Sequence, residues 1–364
     1  MTIVSNLSAL VPWMQKRAAQ LDDDARFPDE EVVALRRTGA LNMPLPIEHH
    51  EDGASVDALT DDLSTFLMQI GAGNLAVGRI IEAHINARHL IARYGSPQQI
   101  ARAADDLRMG HLFALWVTDP PQGGLRMTHA RSGIRLDGGK IFCSGAGHAT
   151  RALVTATDDA GNSHMLVFAL GAGESAGRLE APLQGMRAAV TGAVDFTGCV
   201  VDPDVCLGNA GDYLREPAFS TGAWRGSAVA TGGLQSLVAL MKDQLKGADR
   251  IGNPHQLQRL GTAMIQCETC CLWVRRAARI AEEPTADPDE AVAYVGLARI
   301  AVETACLDAM RLVQRSLGLS AFRHGNPVER ICRDLGTYLR QPAPDSVLTE
   351  AAAHFARHPE GGEA

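Results

Sequence analysis

No stretch of this chain approaches the roughly 20 consecutive apolar residues that a membrane-spanning helix needs. Its basic residues form no long run of the kind that follows a phosphate backbone, and the net charge is −8. Neither a membrane nor a nucleic acid is therefore expected as a partner. The opening Met1-Thr2-Ile3-Val4-Ser5-Asn6 lacks the basic start and apolar core of a secretion signal, so a cytoplasmic location is the default expectation. Eight cysteines in 364 residues do not make a disulfide scaffold. Cys267 and Cys270 have Cys-x-x-Cys spacing, but no second Cys or His pair follows at zinc-site distance. With Cys271 they read as packing residues of a helix over 260–278, and no metal is expected. Internal repeats and low-complexity tracts are absent too.

What is present is an ordinary globular composition, 46% hydrophobic and 21% charged, long enough for two or three structural units. Residues 1–110 read as a helical unit. Phe27-Pro28-Asp29-Glu30-Glu31 puts a proline and acids where a helix begins, and Val32, Val33, Leu35 and Leu41 give it an apolar stripe. Further helices are predicted over 56–70 and 75–94, the latter with Ala76, Ile80, Ile81, Ile85 and Leu90 on its apolar side. Ser96 is a candidate N-cap for the next one.

Residues 111–210 change to short strands. Leu112 to Thr118 reads as a buried strand, and Asp137-Gly138-Gly139 as a hairpin turn between 133–136 and 140–143. More strands are predicted at 152–157, 165–170 and 193–196. Residues 211–364 return to helices over 228–245, 255–280, 291–314 and 328–338, separated at Gly247, Gly252-Asn253-Pro254, Pro284 and Gly318. Helices, a β-insert, then long helices is an α+β layout.

Four local patterns occur in this order. Phe27-Pro28 to Gly39 is followed by Pro46-Ile47-Glu48; Val117-Thr118-Asp119-Pro120 comes next; Leu136-x-Gly138-x-Lys140-x-Phe142-x-Ser144 is third; Pro327-x-Glu329-Arg330-x-x-Arg333-Asp334 is last. Together they resemble the acyl-CoA dehydrogenase family over nearly the whole chain. The resemblance implies an N-terminal helical domain, a middle β-barrel domain and a C-terminal four-helix bundle. It also implies an FAD cofactor, with FMN as the alternative, a small-molecule substrate such as an acyl-CoA, and assembly as a homodimer or homotetramer.

By the same resemblance Val117 and Thr118 line the flavin ring, Phe142 packs on it and Ser144 contacts its N5 region. Gly123 and Gly124 approach the cofactor phosphates where the family has Gly-Ser-Asp. Arg250 stands near the family's pyrophosphate-binding arginine, and Gly318 marks what remains of its Gln-x-x-Gly-Gly-x-Gly stretch. His148 is the histidine expected nearest the ring. The family's catalytic glutamate position falls on Pro342, which has neither a carboxylate nor an N–H. Asp345, three residues on, is the substitute base. Glu350 with His354, four apart on one helix face, and the His49-His50 cluster are read first as solvated surface.

Three functions stay open. One is oxidation of a Cα–Cβ bond, which loses roughly two to four orders of magnitude without its base. The second is monooxygenation by reduced flavin and oxygen, with Ser144 or His148 as proton donor. The third is a non-catalytic homologue that keeps only the fold.

Overall fold

A computed structural model describes residues 3–48, 53–131, 133–171 and 173–357. Five helices come first: α1 (Ile3–Asp23), α2 (Asp29–Arg37), α3 (Val56–Gly73), α4 (Leu75–Tyr94) and α5 (Pro97–Arg108). Helix α1, not anticipated from the sequence, carries Pro12 inside it and buries Leu7, Met14, Ala18 and Leu21 along one side. Asn74 joins α3 to α4: its N–H closes the first helix on the Ile70 carbonyl, and its side chain caps the second by accepting from Ala76 N–H. Ser96 caps α5 in a reciprocal box with Gln99.

The strands are β1 (Phe113–Trp116), β2 (Arg126–Ala130), β3 (Gly133–Asp137), β4 (Gly139–Cys143), β5 (Arg151–Thr157), β6 (Ser163–Ala169), β7 (Ser175–Arg178), β8 (Gly192–Asp195), β9 (Val200–Val201) and β10 (Cys206–Leu207). They form two sheets. One runs β10-β6-β5-β2-β3-β9 with β1 also paired to β5, and the other runs β4-β8-β7.

The Asp137-Gly138-Gly139 hairpin is a correction, because β3 pairs with β2 and β9 while β4 pairs with β8. The two glycines turn a corner between sheets. Gly138 has φ 93°, its N–H donates to Thr197 Oγ1 and its carbonyl accepts from Phe196 N–H, which ties the corner to the chain beyond β8. The antiparallel hairpin there is β2–β3.

The remaining helices are α6 (Ala218–Thr221), α7 (Ala223–Gly247), α8 (Pro254–Glu282), α9 (Pro288–Leu317), α10 (Pro327–Tyr338) and α11 (Pro344–Arg357). Helices α8, α9 and α10 all begin with a capping Asn253, Asp287 or Asn326 followed at once by proline. The side chain satisfies a free N–H of the first turn, and proline supplies helical φ where no N–H is needed.

The early and late helices share one core. Phe66 and Leu67 of α3, Ile81 of α4, Val229 and Leu237 of α7, Val274 of α8, Val302 of α9 and Leu335 of α10 belong to the same buried cluster. Helices α3 and α7 touch backbone to backbone. A Cβ at Gly71 would lie 2.1 Å from the Val229 carbonyl oxygen, and one at Gly232 would lie 1.9 Å from that of Met68. The strands enclose a separate core around Trp116, Leu136, Val154 and Phe196. The architecture is α+β.

Candidate functional site

The end of β1 and the strand β4 are stitched side by side. Ile141 N–H donates to the Thr118 carbonyl at 2.9 Å, and Trp116 Nε1–H donates to the Ser144 carbonyl at 2.9 Å. Lys140, 1% exposed, sends its ammonium inward to Asp119 Oδ1 at 2.5 Å and Thr155 Oγ1 at 2.9 Å. Burial pulls the Lys140 pKa below its ordinary value against the opposing pull of Asp119. These bonds set Val117 and Thr118 beside the segment that carries Phe142 and Ser144. Phe142 stands out from it, 50% exposed, at φ 55°. A bulky residue in the left-handed region is strained, and an exposed aromatic ring gains nothing from the core.

A second segment packs beside Ser144 and Gly145. Met186 and Val190, both left-handed at φ 59° and 44°, bracket the short turn Arg187–Ala189. Thr191 then places its hydroxyl 3.4 Å from Ser144 Oγ, and Gly145 N–H donates to the Ala189 carbonyl. The late signature holds this turn from the other side. Asp334 accepts from Met186 N–H at 2.6 Å, Arg333 donates to the Gln184 carbonyl at 2.9 Å, and Thr337 accepts from Gly185 N–H. Arg333 is itself gripped by Glu329 and by Asp22 of α1. Pro327-x-Glu329-Arg330-x-x-Arg333-Asp334 thus acts as a clamp on the turn.

The other expected residues lie elsewhere. Gly123 is open to solvent at φ 74°, while Gly124 bridges to Gly139 and backs onto Asp119. Arg250 donates to the Ser316 carbonyl at 3.1 Å, beside Gly318 at the end of α9. Arg250 thus reaches the end of α9 two residues before Gly318. His148 stacks on Phe27 with ring centroids 4.2 Å apart and 7° between planes, and its Nδ1 lies 3.7 Å from Asp29. Pro342 and Asp345 are both exposed, the first in the loop after α10 and the second in the opening turn of α11. Glu350 is exposed and His354 half-buried along α11. The His49-His50 cluster lies outside the described residues. No group of metal-ligating side chains occurs among the described residues, and no helix among them is long and apolar enough to cross a membrane.

Sequence reasoning missed a buried polar cluster directly beneath the end of α10. Glu82 of α4 accepts from Arg79 and from Asn86. Asn86 in turn accepts from Arg225 Nε of α7 at 2.6 Å, and Arg225 Nη1 reaches Glu282 of α8 at 2.8 Å. Trp224 Nε1 and His89 complete the shell around Glu282. Burial opposes ionisation of Glu282, but His89 and Arg225 outweigh it and hold the carboxyl at about 2. Burial and Arg225 push His89 down. Tyr338, in the last turn of α10, is 7% exposed and its hydroxyl has no hydrogen-bond partner. Burial, then Glu82, raise its pKa well above the ordinary value, so it stays a donor. The one available signal was the alternation of charged residues with the apolar stripe of α4.

The order of elements defines a fold class, helices followed by a β-region and then a bundle of long helices. No family profile matches the chain. Among curated relatives it is 26% identical over 346 residues to a 3-sulfinopropanoyl-CoA desulfinase of Variovorax paradoxus, covering 87% of this chain and 84% of the relative. It is 24% identical over 346 residues, with the same coverages, to the probable acyl-CoA dehydrogenase FadE25 of Mycobacterium tuberculosis. Among solved structures, glutaryl-CoA dehydrogenase from Mycobacterium smegmatis superposes with TM-score 0.82 at 18% identity, over 97% of this chain and 94% of that one. Dibenzothiophene monooxygenase from Paenibacillus sp. A11-2 does so with TM-score 0.82 at 18% identity, over 98% and 97%. The chain thus resembles the acyl-CoA dehydrogenase family along most of its length, in sequence and in fold.

Proposed function

We propose that the protein is a flavin-dependent oxidoreductase acting on the CH–CH group of an acyl thioester or a related small molecule. The observation that carries this reading is Phe142, exposed and held at a left-handed backbone on the segment bonded beside Thr118. When bound, flavin would supply a two-electron acceptor. Phe142 would stack on the ring, Thr118 would hydrogen-bond its polar edge, and Ser144 with Thr191 would face its central nitrogen. Gly123 and Gly124 would offer backbone N–H groups to phosphate. FAD is the favoured form and FMN the alternative; Arg250 and Gly318 would serve the far end of FAD across a subunit interface, with Arg250 bonded to the end of α9 that Gly318 terminates.

Self-association as a homodimer or homotetramer is supported by α8, whose Leu257, Met264, Ile265 and Leu272 are 49–65% exposed and recur at helical spacing. All eight cysteines are free thiols, which supports a reducing, cytoplasmic setting.

Pro342 favours a second reading, hydroxylation by reduced flavin and oxygen, because that chemistry needs no carboxylate opposite the ring. Anaerobic mixing of the flavin-loaded protein with acyl-CoAs of several lengths separates the two. Bleaching of the visible flavin band would establish dehydrogenation and make Asp345 the first residue to replace. No bleaching, with oxygen-dependent product from the reduced protein, would establish hydroxylation. A protein that holds no flavin would overturn both and leave a non-catalytic homologue.

A further inference from the structure

Lys140 Nζ donates to Asp119 Oδ1 at 2.5 Å, to Thr155 Oγ1 at 2.9 Å and to the Val117 carbonyl at 3.4 Å. These acceptors match the three N–H groups of a lysine ammonium. Val117 and Asp119 are the chain neighbours of Thr118, so one buried atom grips that residue from both sides. Asp119 Oδ1 also accepts from Leu125 N–H at 3.2 Å, which closes the 119–125 loop on itself. Gly124 of that loop bridges to Gly139, the residue before Lys140.

Lys140 also marks one edge of an irregularity in β4. It lies opposite Val194 while Cys143 lies opposite Gly192, so Ile141 and Phe142 share the single position of Ala193. An extra residue in one strand is a bulge, a device that re-aims a side chain. The left-handed, exposed Phe142 is the residue turned outward here. Its neighbour Ile141 donates its N–H to the Thr118 carbonyl. Strands β1 and β5 belong to one sheet and β4 to the other. Lys140 is therefore a side-chain tie between the two sheets, two residues from where the Phe142 ring leaves them.

Stability alone does not account for a charge in this place. Lys140 is 1% exposed, whereas its partner Asp119 keeps 48% of its side chain accessible. Apolar residues of similar volume are often as stable as a buried ion pair, or more so. What the ammonium adds is geometry, since one atom fixes oxygens on two separate segments. We infer that Lys140 is a positioning residue that sets Phe142 beside Thr118 for a bound flavin. It acts through the peptide groups flanking Thr118 and through the bulge, not by contact with the ring. The flavin rests on the function proposed above; the tie from Lys140 to the bulge does not.

The test pairs amide hydrogen exchange of the full chain, measured without flavin, with fluorescence titration of FAD and FMN. The double variant Lys140→Met/Asp119→Asn leaves no charge stranded and keeps an acceptor for Leu125 N–H, so its urea midpoint should stay near that of the wild type. Exchange at the Ile141 amide should nevertheless rise at least ~10-fold, with the β5–β6 amides unchanged. Both flavins should bind at least ~10-fold more weakly. Phe142→Ala should cost little more in that background, because residues acting through one contact are not additive. Thr155→Val removes one acceptor and leaves the ion pair; it should move both readouts the same way by less, and it decides the matter if the double variant does not fold. Unchanged exchange at Ile141 overturns the positioning role. Raised exchange with unaltered flavin affinity overturns it too, since the bulge then loosens without consequence for the cofactor. If the wild-type chain binds neither flavin, the function proposed above fails; raised exchange then upholds the tie from Lys140 to the bulge, and unchanged exchange overturns it.

Discussion

Arg333 Nη2 lies 2.7 Å from Asp22 Oδ2, tying the tenth helix to the first across most of the chain. Both side chains are largely buried, Asp22 at 5% exposure and Arg333 at 17%. Removing one partner strands the other's charge, which costs about 3–5 kcal/mol in a fully buried pair. With Arg333 partly hydrated and also held by Glu329, Asp22→Ala should destabilise by about 2–3 kcal/mol in urea unfolding. A change within 0.5 kcal/mol would show that the clamp on the 185–191 turn does not depend on α1.

Phe142 makes a sharper case, because half of it lies open to solvent. Phe142→Ala should leave unfolding free energy within about 1 kcal/mol and weaken flavin binding about tenfold, from a lost stacking term of roughly 1 kcal/mol plus contact area. Fluorescence titration with FAD reads the second effect. Unaltered affinity would remove Phe142 from the cofactor face.

His84 sets an acid limit on stability. Its Nδ1 accepts from Phe113 N–H at 3.0 Å and its Nε2 meets the Leu41 carbonyl at 2.9 Å, so the neutral ring joins α4 to β1. Burial and Arg88 hold it at about 3 when folded, against an unfolded value of about 6.5. The unfolded chain binds the extra proton first. The stability from this group is therefore complete above about pH 6.5 and falls progressively toward pH 3. Urea midpoints measured from pH 7.5 to 5 should fall, and His84→Gln should flatten that slope.

Restoring the carboxylate tests the dehydrogenase reading directly. In Pro342→Glu, anaerobic bleaching by an acyl-CoA should accelerate at least ~100-fold if the loop after α10 borders the reacting bond. An unchanged rate would place the chemistry away from this loop and favour hydroxylation.

The exposed stripe on α8 should report on assembly. Leu272, 59% exposed, lies a helical repeat from Ile265. Leu272→Asp should lower the mass measured by light scattering while leaving the helical circular dichroism signal intact. A monomeric starting protein would dispose of the interface.

Much of the architecture was legible because it is periodic or punctuated. Helix α4 follows from its apolar spacing, and Ser96 announces α5 by capping chemistry. The surface around Phe142 was legible as a strand motif, although its left-handed backbone was not. Asp137-Gly138-Gly139 misled because two glycines serve a corner between sheets as well as a hairpin turn. The polar cluster was hidden for a different reason. Arg79 and Glu282 are about two hundred residues apart, and on separate helices each looks like one more solvated charge. Only the convergence of α4, α7 and α8 turns them into an interior network.

The glycine contact between α3 and α7 has a consequence for how the chain acquires its shape. Helices 150 residues apart in the sequence press together at two glycines and share one core, so neither can finish that core alone. A ribosome releasing the first hundred residues delivers a fragment with a raw apolar flank, and the β-region emerges before that flank is covered. The order of synthesis and the order of consolidation must therefore differ, with the strands settling before the oldest helices do. Gly232→Ala, which sets a methyl against the Met68 carbonyl, should then slow the final folding phase and leave an earlier β-phase at its normal rate.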